Sequence, residues 1–301
     1  MGEKYATASL CPAERSRCIM TITMRKKNDL AYEVMFDDLI QAVFGFSFKP
    51  WLDLKLWNNN YQSYSIVEDS KMLANICIYK TEMRIAGEKV DAIQFGAVAT
   101  CKEARGKGLS RLLMEHILSI YPNTPAFLFA NPDVVDFYPK FGFSQVQIYR
   151  VDIAASINNS TVAADKRKFN DEMVTHALQN RSAYSNVLDC INTWPIQMFH
   201  LIMMYNDCIY HLPKCSAIVI AKQEESKLFL VDVIAQNKID FDTILKELPF
   251  EGITTVEFGF CPDWLGITPT FTPVNETDSP LFIRGNWKLP ETFRFPITSE
   301  T

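Results

Sequence analysis

The sequence predicts an α/β protein of two domains, and three observations carry that prediction. Strand-length apolar runs alternate with amphipathic helical stretches from Met20 to Ile153. A similar succession of strand, strand, helix and strand returns after Cys208. Between the two, Ala154 to Lys168 is small, polar and charged, the texture of a linker. A chain of 301 residues also exceeds the usual size of a single core. The expected division is a first domain at 20–153, a linker with helices at 154–206, and a smaller α/β domain at 207–301.

The elements follow in order. Met20 to Met24 alternates and is rich in β-formers, a first strand. Asp29 to Phe44 places Leu30, Val34, Leu39 and Val43 at helical spacing, and Gly45 ends that helix. Phe46 to Tyr64 is crowded with aromatics, interrupted by Pro50, and too irregular for one element. Ser63–Glu68, Met72–Met83 and Lys89–Thr100 read as strands, the last two joined by a hairpin at Ala86-Gly87-Glu88. Gly106 opens an amphipathic helix whose apolar face carries Leu109, Leu112, Leu113, His116, Ile117 and Ile120. Ala126 to Ala130 is continuously apolar, as in a sheet covered on both faces. Pro132 to Lys140 is a short helix, Phe141-Gly142-Phe143 a turn, and Gln145 to Ile153 a strand. Phe169 to Asn206 reads as mainly helical. Strands follow at Ala217–Ala221, Lys227–Ala235, Thr254–Phe260 and Pro280–Arg284, with a helix at Phe241–Leu248.

Composition narrows the class. With 48% hydrophobic and 22% charged residues the chain has the means to build cores and is not a disordered polymer. A net charge of −5 argues against a broad phosphate-binding surface, so no nucleic-acid partner is expected. No apolar run approaches the roughly 20 residues of a membrane span, and the first twenty residues hold no apolar leader segment. The expectation is a cytoplasmic protein without a membrane partner. Eight cysteines (Cys11, Cys18, Cys77, Cys101, Cys190, Cys208, Cys215 and Cys261) read as reduced structural thiols. Cys208, His211 and Cys215 have zinc-ligand spacing but lack a fourth ligand, so no metal is expected.

Glycine is scarce, at 11 residues, which makes the close pair Gly106 and Gly108 informative. A strand ends at Val98-Ala99-Thr100, and Arg105-Gly106-Lys107-Gly108-Leu109-Ser110 then opens a helix. Main-chain amides without a shielding Cβ, together with the positive end of the helix dipole, form a receptor for phosphate or pyrophosphate. Arg105, Lys107 and Arg111 add positive charge. The nucleotide-binding pattern G-x-x-x-x-G-K-[ST] is absent, and in the dinucleotide pattern G-x-G-x-x-G the third glycine would be Arg111.

Arg105-x-x-Gly108-x-Ser110 instead resembles the Q/R-x-x-G-x-G/A signature of the GNAT superfamily of N-acetyltransferases, with Ser110 where the family has Gly or Ala. The downstream order is also similar: the strand Phe127-Leu128-Phe129, then Asn131, then Phe137-Tyr138, then Phe141-Gly142-Phe143. The resemblance spans about residues 20–153. It implies a mixed twisted sheet with helices on both faces, and acetyl-coenzyme A as co-substrate with no metal. It implies an amine acceptor, on a small molecule or a protein. Val98, Ala99, Thr100, Arg105, Gly106, Lys107, Gly108, Leu109, Ser110, Arg111 and Asn131 would hold the cofactor.

By the same resemblance the strand Gln94–Thr100 would bulge, at Gly96, and the Val98 amide would polarise the thioester carbonyl. Tyr138 would be the general acid, since a phenol of pKa ~10 stays protonated where a thiol of pKa ~8.5 departs. A carboxylate or water must take the acceptor's proton; Glu68, Glu82 and Asp91 lie on strands of the right layer, with Glu68 put forward. Each residue also has a structural reading: Tyr138 as packing, Asn131 as a helix N-cap, the carboxylates as surface charge. The aromatics from Trp51 to Tyr64 could wall the acceptor site or fill the core. A non-catalytic acyl-coenzyme A-binding module, and an acyltransferase using another acyl chain, are the alternative functions. In the second half, Lys238-Ile-Asp240-Phe-Asp242 puts two acids where a phosphate loop would sit, so if 207–301 is a second GNAT-like domain it is a degenerate one that does not bind coenzyme A, and it would shape the acceptor site or a homodimer interface.

Overall fold

A computed structural model describes residues 21–26, 28–157, 164–275 and 279–301. Met20 of the expected first strand, the leader reading of the first twenty residues, Cys11, Cys18, and 158–163 of the expected linker lie outside the described residues. The chain forms two units, residues 1–79 with 95–123 and residues 80–94 with 124–301.

In the first unit β1 (Ile22–Met24) pairs antiparallel with β2 (Tyr61–Glu68), β2 pairs with β3 (Lys71–Ile85), and β4 (Glu88–Thr100) follows β3. Helix α1 (Leu30–Phe44) begins where the Asp29 carboxylate accepts from the Tyr32 amide at 3.2 Å, and ends at Gly45, whose φ of 79° is the left-handed stop. Its buried residues Tyr32, Phe36, Leu39 and Ile40 follow helical spacing and form the inward stripe. A short α2 (Lys49–Asp53) has Pro50 in its first turn. The buried Asp37 carboxylate joins the two helices by accepting from Gln41 Nε2, Ser47 Oγ and the Phe48 amide. Phe36, Phe48, Trp51, Trp57 and Tyr61 interlock at ring separations of 4.9–6.1 Å. With Trp51 at 2% exposure and Tyr64 at 2%, the aromatic stretch is core, and the acceptor-wall reading gives way. Helix α3 (Leu109–Ile120) buries Leu109, Leu113, Met114 and Ile117.

In the second unit the distal parts of β3 and β4 meet at Ala86 and Gly87, both at positive φ, as a tight hairpin requires. The chain continues through β5 (Ala126–Phe129), a 3₁₀ segment Pro132–Phe141, β6 (Ser144–Gln145), β7 (Ile148–Ile157), β8 (Asp165–Arg167) and α4 (Glu172–Gln179). Next come β9 (Leu188–Ile191), α5 (Trp194–His200) with a π-turn Leu201–Tyr205, β10 (Ile209–Leu212), β11 (Ala217–Glu224) and β12 (Lys227–Ile234). The chain closes with α6 (Phe241–Glu247), β13 (Ile253–Phe258), β14 (Thr270–Val274), β15 (Leu281–Arg284) and a 3₁₀ turn Ile297–Ser299. Strand β9 pairs with Glu82–Ile85 of β3, the Ile93 amide of β4 donates to Pro125 O at 2.9 Å, and β15 lies between β5 and β6. A separate sheet has the order β14-β7-β13-β12-β11-β10-β8, antiparallel except for β12 and β13, which are parallel and connected through α6.

The parallel register of β12 and β13 ends at Leu230 and Phe258. There the Gly259 amide donates to Leu230 O, Gly259 O accepts from the Ile297 amide, and Thr298 Oγ1 donates to Asp232 Oδ2 at 2.8 Å. The turn Ile297–Ser299 thus takes over the hydrogen bonding at that end of the sheet. A Cβ on Gly259 would fall 2.5 Å from Val231 O, which is why glycine stands there. Asp240 caps α6 through the Thr243 amide, so one of the two acids expected to repel phosphate is committed to starting a helix.

Several elements differ from expectation. The expected strand Gln145–Ile153 is two strands in different sheets, and the expected Pro280–Arg284 strand, β15, joins β5 and not the β7–β14 sheet. The stretch Phe169–Asn206 is mainly helical, in α4, α5 and the π-turn, but it also holds β9 between α4 and α5. Both corrections concern long-range pairing, which local periodicity does not encode. Among the described residues no group of three or more His, Cys, Asp or Glu is placed to hold a metal. Cys215 Sγ instead donates to Glu247, and no described helix is long and apolar enough to cross a membrane.

Candidate functional site

The site begins where β4 loses its regular alternation. Residues 92–96 are all buried, whereas Ala97, Val98 and Thr100 are half-buried and Ala99 is buried. Ala97 has φ of 47°, the left-handed region, which costs a residue with a Cβ roughly 1–2 kcal/mol. The expected irregularity is therefore one residue beyond Gly96, at Ala97.

Beyond Thr100 the Cys101 amide donates to Leu73 O at 2.9 Å, and a 3₁₀ turn, Lys102–Ala104, leads into the glycine loop. Gly106 and Gly108 have φ of 75° and 79°, and a Cβ built on either meets nothing within 4 Å. Their glycine identity is thus set by backbone conformation, and the space beside them is open. Gly108 is the N-cap of α3, and the first intrahelical bond runs from the Leu112 amide to Gly108 O at 3.0 Å. Helix geometry leaves the preceding amides of this turn without intrahelical acceptors. The amides from Gly108 to Arg111 are those orphans, beside exposed Arg105 and Lys107 at the positive end of a 12-residue helix, while the Lys107 amide donates to Ala104 O at 3.4 Å. The Arg105 guanidinium reaches back to Thr100 O at 3.4 Å, and exposed Arg111 lies 3.5 Å from Glu115. This donor set fits a diphosphate.

Ser110, the departure from the Gly/Ala position, turns its hydroxyl back to Thr100 Oγ1 at 2.6 Å. Leu109 is buried and anchors the first turn of the helix. Glu68 is exposed at the end of β2, beside the β2–β3 turn residues Asp69 and Ser70, which have positive φ.

Sequence reading missed the polar assembly behind β4. Asn75, 0% exposed, donates through Nδ2 to Ala97 O at 3.0 Å and accepts at Oδ1 from Ser63 Oγ and Ser65 Oγ. Tyr32 of α1 holds both serines with its hydroxyl, at 2.7 and 2.6 Å. A lone amide in the apolar run Met72-Leu-Ala-Asn-Ile-Cys-Ile was the available signal, because a buried amide must find partners.

In the second unit Asn131 is exposed and accepts from the Asp133 amide at 2.9 Å, starting the 3₁₀ segment as an N-cap. Tyr138, 4% exposed, packs edge-on or tilted against Phe137, Phe143 and Phe282. Burial pushes its phenol up to about 12, so it holds its proton throughout the neutral range. Gly142 closes the turn at φ 80°, and Arg284 Nε donates to Phe141 O at 3.1 Å. Lys89 pairs with Glu82 and lies 3.9 Å from Asp91, so both of those carboxylates face a lysine.

Residues 27–146 are matched by the family model described as acetyltransferase (GNAT) domain. A probable N-acyltransferase from Enterococcus faecalis shares the fold at a TM-score of 0.53 and 14% identity, over 88% of this chain and 72% of that one. Eis1 from Mycobacterium abscessus is similar at 0.53 and 12%, over 86% and 72%. A GCN5-related N-acetyltransferase from Kribbella flavida is similar at 0.51 and 15%, over 87% and 71%. At these identities the likeness is one of fold. No curated protein sequence matches the chain. The domain and its fold support acyltransferase activity.

Proposed function

We propose that the protein transfers an acetyl group from acetyl-coenzyme A to an amine. The observation that carries this reading is the Arg105–Ser110 loop, where two left-handed glycines with open space beside them precede the N-terminus of α3. In this reading the amides of Gly106 and of Gly108 to Arg111 bind the diphosphate, with Arg105 and Lys107 adding charge, and Val98, Ala99 and Thr100 run alongside the cofactor arm. Asn131 contributes a polar contact. The bound thioester supplies an activated acyl group, and the Val98 amide stabilises negative charge on its carbonyl oxygen. Tyr138 donates a proton to the departing thiolate. The acceptor ammonium loses its proton to water or a carboxylate, for which Glu68 is the candidate.

The test is thiol release from acetyl-coenzyme A across a panel of small amines and peptides. Tyr138→Phe is expected to bind the co-substrate normally and turn over ~10²-fold more slowly. Because the Tyr138 phenol sits at about 12, wild-type activity should show no alkaline decline from this group below pH 10. An unchanged rate in Tyr138→Phe removes it from the mechanism. The packing of Tyr138 within three phenylalanine rings favours one second reading, a non-catalytic acyl-coenzyme A-binding module. Binding without thiol release for any acceptor would select it.

A further inference from the structure

We infer that Asn75 is a positioning residue that aims the Val98 amide, an inference that rests on the acyltransferase reading above. Ala97 O can only accept, so the Asn75 group facing it at 3.0 Å must be Nδ2. Oδ1 then faces Ser63 Oγ and Ser65 Oγ at 2.5 and 2.8 Å, and the serine hydroxyls donate to it. The second Nδ2 proton is directed at Cys77 Sγ, 3.3 Å away. The amide orientation is therefore fixed on both sides.

Register explains how these groups meet. Ser65 lies directly opposite Asn75, and Ser63 opposite Cys77, so all four side chains share one face of the β2–β3 pair. Tyr32 reaches that face from α1 with its hydroxyl 2.7 Å from Ser63 Oγ and 2.6 Å from Ser65 Oγ, and its one proton goes to one of the two serines, whose own protons are given to Asn75. The chain of contacts thus runs from a capped helix, through two serines and one amide, to the peptide between Ala97 and Val98.

That peptide is the point of action. In a planar trans peptide the carbonyl and the following N–H point in opposite directions. Holding Ala97 O toward Asn75 therefore turns the Val98 N–H away from Asn75. Ala97 is the one non-glycine residue within a strand, among the described residues, that has positive φ. Such a conformation persists where the surroundings over-determine it. The Asn75 bond to Ala97 O is one such constraint, and it acts directly on this peptide.

The experiment compares Asn75→Asp with Tyr32→Phe and wild type, measuring acetyl-coenzyme A binding by calorimetry, thiol release, melting temperature, and backbone amide NMR. Asn75→Asp keeps both acceptor contacts to the serines and removes the donor to Ala97 O. Its kcat is expected to fall about 100-fold, the scale for loss of one oxyanion donor, while the co-substrate dissociation constant stays near wild type. The Val98 amide resonance should move, and Gly106 and Gly108 should still respond to the ligand. Tyr32→Phe keeps the Asn75 donor to Ala97 O while loosening the serines, so it should lower the melting temperature and reduce kcat less than Asn75→Asp does. Ala97→Val gives an independent arm, because a β-branched residue resists positive φ. It should reproduce the kcat loss and the Val98 shift, and the double variant should lose little more. Wild-type kcat with an unmoved Val98 resonance in Asn75→Asp or Ala97→Val would overturn the inference alone. So would kcat losses that merely track melting temperature in all variants. A wild-type chain that binds no acetyl-coenzyme A would overturn the acyltransferase reading and the role of Asn75 with it.

Discussion

Gly108 starts α3 from the left-handed region, and the hydroxyl of Ser110, two residues on, is occupied by Thr100 Oγ1. The family's preference for Gly or Ala at the second of these positions is thereby met in another way. A serine hydroxyl free to rotate could compete for the helix amides, whereas one held at 2.6 Å by a strand threonine leaves them facing outward. Ser110→Ala is accordingly expected to bind acetyl-coenzyme A about as well as wild type, by calorimetry. A large loss would mean that the hydroxyl itself contacts the ligand. The loop was legible in the sequence because glycine is rare in this chain and the pair falls between a strand and a helix. Ala97 was not legible. The nearby glycine is the default candidate for an irregular strand, but the deciding interaction comes from Asn75, 22 positions away.

The helices show what local rules settle. Asp29 and Gly45 bound α1 at the positions read from the sequence, because a side-chain cap and a left-handed stop are local events. The join between α1 and α2 was not readable, since it depends on Asp37, a carboxylate in mid-helix that accepts one bond from Gln41 of its own helix and two from the following turn. Asp37→Ala leaves the Phe48 amide and the Ser47 hydroxyl without their partner. It should lower unfolding free energy by about 2 kcal/mol in denaturant titration. A change within error would show that water or a neighbouring group replaces the carboxylate. Strand β9 shows the opposite limit: Leu188-Asp-Cys-Ile is short, carries a buried aspartate, and sits between two helices. Asp189 is accommodated by Arg181, which also pairs with buried Asp232 at 2.5 Å. That cluster assembles residues from distant parts of the sequence, so no window of sequence could show it.

Across the whole chain, sheet membership is the least legible property. Strands β7 and β15 were each recognisable as strands, and neither could be assigned to its sheet, because pairing partners are chosen by tertiary contact. The closing segment of the second unit has a consequence for stability. Burial pushes the Glu300 carboxyl up to about 8, with Arg294 opposing. The folded state therefore keeps this proton where the unfolded chain, with an ordinary glutamate near 4.3, has lost it. Folding is disfavoured progressively as pH rises from about 4.3 to about 8, and the slope vanishes above that. His200, whose imidazole is pulled down by burial, acts in the other direction by costing stability as pH falls below its ordinary value. Glu300→Gln should flatten the decline in unfolding free energy between pH 5 and 8, measured in denaturant at fixed ionic strength. An unchanged slope would show that the carboxyl ionises freely in the folded protein.

Binding of acetyl-coenzyme A to the purified chain, followed by calorimetry for wild type and Gly108→Trp, bears most directly on all of this. The account predicts one site per chain in wild type and its loss in Gly108→Trp, with the unliganded variant still folded because the space beside Gly108 is open, and its melting temperature lowered by a side chain at left-handed φ, a cost of roughly 1–2 kcal/mol. Equal affinity in the two proteins, no heat in wild type, or two equivalent sites per chain would contradict it.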